Sequence, residues 1–261
     1  MKNNQAGASP GKFNKPFLLW TFFGTALFIL LWGFASVFFG SELIFPGPVP
    51  VIKKLFALVS SPAFLSALVS SFVRVMAGMI VSVPLGCAAG IAAGLDRRSA
   101  SFLSPFFSVI AATPVMSVIL ICFLFMGAEK TPVFTAFLMV FPVMAANTQA
   151  GILQTDSNLK EMFAVYNIGR SKTLRCLYLP SIMPYVLGGL RSSLSLCWKV
   201  VIAAEVLVQP ARSLGAGMQQ AKAQLETPGL FAWTCATVIA ASITQGILTL
   251  VIKVCKPGAA K

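Results

Sequence analysis

Charged residues in this chain fall in short clusters, and the stretches between the clusters are long and apolar. The runs lie between Lys15 and Glu42, Lys54 and Asp96, Arg98 and Glu129, Lys130 and Asp156, Ser181 and Val208, and Glu226 and Lys253. Only Arg74 interrupts the second, whereas Arg191, Lys199 and Glu205 fall within the fifth. Each run offers roughly 20 or more largely apolar residues, which is the length a helix needs to cross the hydrocarbon core of a bilayer. Lipid offers the backbone no hydrogen-bond partners, so such segments must be helical. The chain is 57% hydrophobic and only 10% charged, where soluble domains carry about 25% charge. The expected fold is an all-α integral membrane protein with six transmembrane helices.

Six crossings put both termini on one side. That side then carries Lys2, Lys12, Lys15, Arg97, Arg98, Lys160, Arg170, Lys172, Arg175, Lys253, Lys256 and Lys261, against Lys53, Lys54, Lys130, Arg212 and Lys222 opposite. Positive charge marks the cytoplasmic face, so both termini and the 156–180 loop are expected in the cytoplasm. The net charge of +13 is accounted for by these flanking cations and does not call for nucleic acid. The apolar run Phe17–Phe39 is longer than a signal-peptide core of about 7–15 residues, and it reads as an uncleaved first span. The expected plan is a tail at 1–16, a first transmembrane helix at 17–39, an outer segment at 40–63, a transmembrane core at 64–255 and a short tail at 256–261. Within the outer segment, an amphipathic piece over Val51–Val59 is expected at the interface.

The chain has six cysteines, none in a C-x-x-C pair, and no histidine. A Cys/His metal site is thereby excluded, and no metal ligand is assigned. Nucleophilic chemistry that depends on histidine is also unavailable. No G-x-x-x-x-G-K-[ST] loop is present to cradle phosphate, so the chain is not expected to be an enzyme or to bind a cofactor itself.

Several features within the spans stand out. Gly86, Gly90 and Gly94 recur every four residues and predict a close helix-packing ridge. Pro84 and Pro142 predict local bends. Arg191, Ser195, Trp198 and Glu205 recur at helix-face spacing, with Lys199 off that line, and predict a polar stripe facing a path or a dimer seam. Ionisable groups inside a span usually face a cavity or another helix. Arg74, Arg191, Ser195, Trp198, Lys199 and Glu205 are therefore candidates for lining or gating a path. The alternatives for the arginines are that Arg74 or Arg191 pairs with Glu205, that they snorkel, or that they meet an anionic solute.

Between the fourth and fifth spans lies KEMFAVYNIGRSKTLRCLYLP, from Lys160 to Pro180. It is too short for a domain and too apolar, at Met162, Phe163 and Tyr166, to stand in water without a partner. It predicts one short helix capped by Asp156, Ser157 or Asn158 and a second over Arg170–Tyr178 that Pro180 ends.

This loop resembles the coupling loop of the membrane permease subunits of bacterial ATP-binding-cassette importers, of the branch that handles nitrate, sulfonates and taurine. The family pattern runs E-A-A, then Gly, then a hydrophobic stretch closing in Leu-Pro. Here Glu161 and Leu179–Pro180 stand at the family's separation. Met162 and Phe163 replace the alanines, and the family's Gly falls on Asn167, with Gly169 two positions later. Asn tolerates a left-handed turn better than other non-glycine residues. SSFVRVMAG (70–78), FPVMAANTQAGI (141–152), WKVVIAAEV (198–206) and LGAGM (214–218) resemble family segments in the same order. The resemblance runs from Pro46 to Lys253.

It implies a type I permease fold in the bacterial inner membrane and a path for a small solute, of anionic kind if Arg74, Arg191 and Lys199 face it. The implied partners are a second permease subunit, a cytoplasmic ATPase dimer that binds ATP and Mg2+, and a solute-binding protein outside. It also implies that Glu161, Met162, Phe163, Tyr166, Asn167, Gly169, Leu179 and Pro180 form the contact with the ATPase. The alternative is a stand-alone secondary transporter.

Overall fold

A computed structural model describes residues 15–255. The tails expected at 1–16 and 256–261, with Lys2, Lys12, Lys256 and Lys261, lie almost wholly outside them.

The described residues form a helical chain: α1 (Lys15–Phe39), α2 (Pro48–Val59), α3 (Pro62–Leu95), α4 (Arg97–Ala112), α5 (Val115–Leu153), α6 (Ser157–Val165), α7 (Arg170–Thr173), a π turn over Leu174–Tyr178, α8 (Leu179–Val208), α9 (Leu214–Ala223) and α10 (Thr227–Cys255). Side-chain caps fix several starts. Ser61 accepts from the Phe64 amide ahead of Pro62, and Ser213 accepts from the Ala216 amide. Asp96 accepts from the amides of Arg98 and Ser99, and these bonds lower its carboxyl pKa below the usual value. Each cap satisfies donors that the first helical turn leaves open.

Among the described residues, five helical stretches are long and apolar enough to cross a membrane: Leu19–Phe39, Pro62–Leu95, Val115–Leu153, Arg170–Val208 and Thr227–Val254. The expected third crossing, Arg98 to Glu129, takes a different form. It is split into α4 and the first part of α5 by the extended residues Thr113 and Pro114. α5 itself breaks at Gly127, whose φ of 73° and ψ of 177° suit only a residue without Cβ. Pro84 and Pro142 lie within α3 and α5, which continue through them. The break within α5 thus falls at Gly127 and not at a proline.

Packing shows that the chain doubles back between α3 and α5. A Cβ added to Gly78 would meet Ala136 Cβ at 3.0 Å; one on Gly86 would meet Met144 Cβ at 2.5 Å; one on Gly94 would meet Ile152 Cβ at 2.5 Å. Both numbers rise together, so α3 and the second part of α5 run parallel. Parallel neighbours begin at the same face, and residues 97–126 must carry the chain back between them. α8 runs antiparallel to both: Cys197 Sγ bonds the Val75 carbonyl near one end, and Gly189 and Ile182 meet Asn147 and Gly151 toward the other.

α3, α5 and α8 form the centre, around Val75, Val140, Met144, Cys197 and Val201, all fully buried. In lipid, close van der Waals packing holds such a centre together, because burial of apolar surface gains nothing over contact with lipid tails. α1 contributes nothing to it, and its Leu19–Phe39 stretch has no buried residue. A collar at one end ties α1 to α10. Trp32 Nε1 donates to the Pro46 carbonyl (3.1 Å) and its ring stacks on Phe231 at 6.2 Å, while Lys54 of α2 pairs with Glu226.

Gly86→Val should cost about 1–3 kcal/mol by overpacking against Met144, seen as a lower unfolding midpoint in detergent. Gly188→Ala, with nothing within 4 Å of the added Cβ, should leave that midpoint unchanged or slightly raised.

Candidate functional site

Four elements converge at the collar end of the core. Ser71 and Arg74 are three residues apart on α3 and therefore share a face. Glu205 comes from the last turn of α8, and its side chain is fully buried. Glu129 stands two residues past the Gly127 break. α8 ends at Gln209 in the left-handed region (φ 48°), and this turns the chain so that the start of α9 falls back over Glu205.

Arg74 binds both acids. Its Nη1 donates to Glu205 Oε1 (3.0 Å) and to the Arg212 carbonyl (3.1 Å), and its Nη2 donates to Glu129 Oε2 (2.6 Å). Glu205 also accepts from Ser71 Oγ (2.8 Å) and from the Gly215 amide (3.2 Å). Ser71 Oγ accepts from the Leu214 amide at 3.0 Å, and Glu129 Oε1 accepts from the Ala211 amide at 3.0 Å. Each polar group of this buried cluster has a partner, which is the condition for keeping a charge out of water. The 210–215 turn is thereby fastened to α3, α5 and α8. Gly215 permits the approach, because a Cβ there would lie 2.5 Å from Glu205 Cβ.

Of the two pairings open in the sequence, Arg74 with Glu205 is the one present, and Arg191 takes no part. Sequence reasoning missed Ser71 and Glu129. Glu129 counted there only as the end of a run. Its signal was an acid beside Gly127 at an expected outer turn, within reach of an intramembrane arginine.

The expected stripe on α8 is divided, which corrects its single-face reading. Trp198 and Glu205 are 2% and 0% exposed and point into the subunit's own core, whereas Arg191 and Lys199 are exposed and Ser195 is half-buried. At 3.6 residues per turn, Trp198 and Glu205 lie on the far side of Arg191 from Ser195 and Lys199. α3 and α9 pack across that edge of the helix. Gly188, Arg191, Ser195 and Lys199 therefore share an exposed arc, and Lys199 belongs to it. Trp198 Nε1, like the hydroxyls of Thr135 and Ser193, is buried without a hydrogen-bond partner.

At the opposite end, α6 begins at Asp156, which accepts from the Asn158 amide at 2.9 Å. Glu161, Met162, Val165 and Tyr166 are exposed, and Phe163 is half-buried. Asn167 adopts φ 49° and turns the chain, and Gly169 precedes α7 in extended geometry. Pro180 does not end the second helix. Arg170–Val208 is one continuous helical stretch. The wider π turn at Leu174–Tyr178 lies just before Pro180, which has no amide to donate and crowds the preceding turn. Leu177 is buried in the subunit, while Leu179 and Pro180 are exposed.

Residues 82–255 match the family described as binding-protein-dependent transport system inner membrane component. Among similar proteins, a probable ABC transporter permease of Brucella melitensis is 27% identical over 209 residues, covering 80% of this chain and 81% of its own. A taurine transport system permease protein of Escherichia coli is 26% identical over 225 residues, covering 84% and 82%. A nitrate import permease protein of Synechocystis is 25% identical over 193 residues, covering 70% of each.

Arg74→Ala should destabilise the protein by about 3–5 kcal/mol, because it strands the buried Glu205 carboxylate. Glu129→Gln should cost under about 1 kcal/mol, because the Glu129 side chain is 60% exposed and keeps a hydrogen-bonding group. Thermal unfolding in detergent separates the two.

Proposed function

Because this chain belongs to the family of binding-protein-dependent transport system inner membrane components, it is a permease component of an ATP-binding-cassette importer, and we propose that it carries a small anion along a path lined by the exposed arc of α8. The observation that carries the anionic reading is the fate of the three intramembrane cations. Arg74 is taken up by Glu129 and Glu205, whereas Arg191 and Lys199 are exposed and have no acidic partner among the described residues. Unpaired cations within a span stand where water and a counter-charge reach them. Relatives named for taurine, nitrate and aliphatic sulfonates are consistent with this chemistry.

The family works with an ATPase and a solute-binding protein, and this chain is the membrane component, not the ATPase. In our reading the chain crosses the membrane six times with both termini and α6 in the cytoplasm. The 156–180 loop then meets the ATPase through Glu161, Met162, Phe163 and Tyr166, with Asn167 and Gly169 shaping the turn and Leu179 and Pro180 closing the contact. One loop per chain calls for two chains, and we propose a homodimer with the α8 arcs facing each other. The solute-binding protein meets the opposite face, and ATP and Mg2+ act in the partner.

The physical link between loop and path is α8 itself. The helical stretch from Arg170 to Val208 has no break, so a push on α6 and α7 tilts the helix that bears Arg191 and Lys199. Its far end is fastened by Glu205 to α3 and the 210–215 turn. Movement of a rigid helix about a fixed end is an ordinary means of alternating access.

Two measurements on the complete importer in proteoliposomes test this. Asn167→Val should let ATP hydrolysis run while uptake falls, because a β-branched residue resists φ near 49°, and Asn167→Gly should preserve coupling. Arg191→Gln with Lys199→Gln should lower anion uptake by about tenfold or more, the scale of a lost charged hydrogen bond, without loss of folded protein. Unchanged uptake in the double variant would remove the α8 arc from the path.

A further inference from the structure

A second polar surface lies near the cytoplasmic end of the described residues, on α4. Arg97, Ser101, Ser104 and Ser108 are spaced four, three and four residues apart, which places them on one helical face. The opposite face carries Phe102, Phe106 and Val109, which are 68%, 55% and 65% exposed. α4 contributes no residue to the core. The polar face instead lines a cleft of about 590 Å3, with Ala93 at the end of α3 and Gln149 of α5 on its other walls and Phe107 at its side. That volume falls within the roughly 300–1,000 Å3 of small-molecule sites.

The serines of this face leave their hydroxyls free, unlike many hydroxyls in the other helices. Thr131, Thr148, Ser181, Ser242 and Thr244 each donate to the carbonyl four residues earlier, satisfying themselves within their own helix. Ser101, Ser104 and Ser108 make no such bond, and the side chains of Arg97 and Gln149 likewise have no partner among the described residues. The nearest acid, Asp96, is committed to the α4 cap. A helix with its apolar face toward lipid and an unsatisfied hydroxyl and guanidinium face toward a cleft is arranged to border water.

We propose that this cleft is the cytoplasm-side vestibule of the path, a site for a small oxyanion held by the Arg97 guanidinium and the hydroxyls of Ser101, Ser104 and Ser108. The guanidinium supplies forked charged donors, and each serine adds one rotatable donor. Such a site is shallow and open, so it holds solute on its way out without trapping it. The proposal rests on the importer reading and adds to it a second place, separate from the α8 arc, where the solute is met.

The test uses the complete importer carrying Ser104→Cys in inside-out membrane vesicles. The probes are 2-sulfonatoethyl methanethiosulfonate, which is anionic, and its trimethylammonium analogue. Labelling of position 104 is read by peptide mass spectrometry, and rates are scaled to those with a free thiol. The expected result is labelling about tenfold faster with the anionic reagent, the order by which a charged cleft concentrates its counter-ion. Methanesulfonate should slow that labelling, and adding Arg97→Gln should abolish the preference. An inert position 104, equal rates with both reagents, or labelling only from the outer face would overturn the proposal. Labelling that appears only in bilayers lacking anionic lipid would assign the cleft to a lipid headgroup and overturn it as well. ATP-driven uptake by the unsubstituted importer in proteoliposomes tests the importer reading separately. Uptake intact with position 104 inert removes the vestibule alone, and uptake absent in the unsubstituted importer removes both.

Discussion

Arg74 holds the collar end of this protein together. One guanidinium reaches two carboxylates from different helices and a carbonyl from the turn beyond them. In water such a pair contributes little. Inside a lipid-facing bundle the balance differs, because a lone Arg74 or a lone Glu205 would be a buried charge without compensation. The geometry therefore works as a requirement. α3, α5, α8 and the 210–215 turn meet in one arrangement, and other arrangements leave at least one charge stranded. Glycine packing sets how near α3 and α5 approach, but it is the arginine that fixes which end of α8 the turn covers.

That fixed end gives the other features of α8 their meaning. The helical stretch begins in the 156–180 loop, passes a π turn, presents Arg191 and Lys199 on an exposed arc and carries Glu205 in its last turn. A π turn carries one more residue per turn than the α-helix around it and interrupts the regular hydrogen-bond ladder. It is the natural place for an unbroken helix to change direction, and it lies between the loop and the membrane-spanning part.

Most of the architecture was legible in the sequence, and the reasons are physical. Gaps between charges located five of the six expected spans, because lipid admits no alternative to helix. The E-x-x…Leu-Pro spacing located the loop, and Asn167 could be recognised as a turn residue because few side chains tolerate positive φ. What was not legible depended on how helices meet. The stripe from Arg191 to Glu205 looked uniform because the sequence shows the angle between residues but not where neighbouring helices cover them. Pro180 looked like a terminator because a π turn leaves no mark in composition. The α4 face was readable as serine spacing, but a run counted only by its lack of charge hides three hydroxyls. Glu129 was hidden for the reverse reason: a charge used to mark a boundary is not examined as a partner.

The pairing of Arg74 with Glu205 also orders events during synthesis. The two residues are 131 positions apart. At bacterial elongation speeds of about 5–20 residues per second, Glu205 emerges on the order of ten seconds after Arg74. α3 is complete long before its counter-charge exists, and the parallel seating of α3 and α5 must wait for residues 97–126 to cross in between. The early arginine is thus exposed to lipid or to the insertion machinery for that interval. Glu129, arriving 55 residues after Arg74, is the first acid able to relieve it. Chains interrupted between these two acids would hold Arg74 paired with Glu129 alone, its second partner and the 210–215 turn still missing, a form that membrane quality control can recognise before the last helix is made.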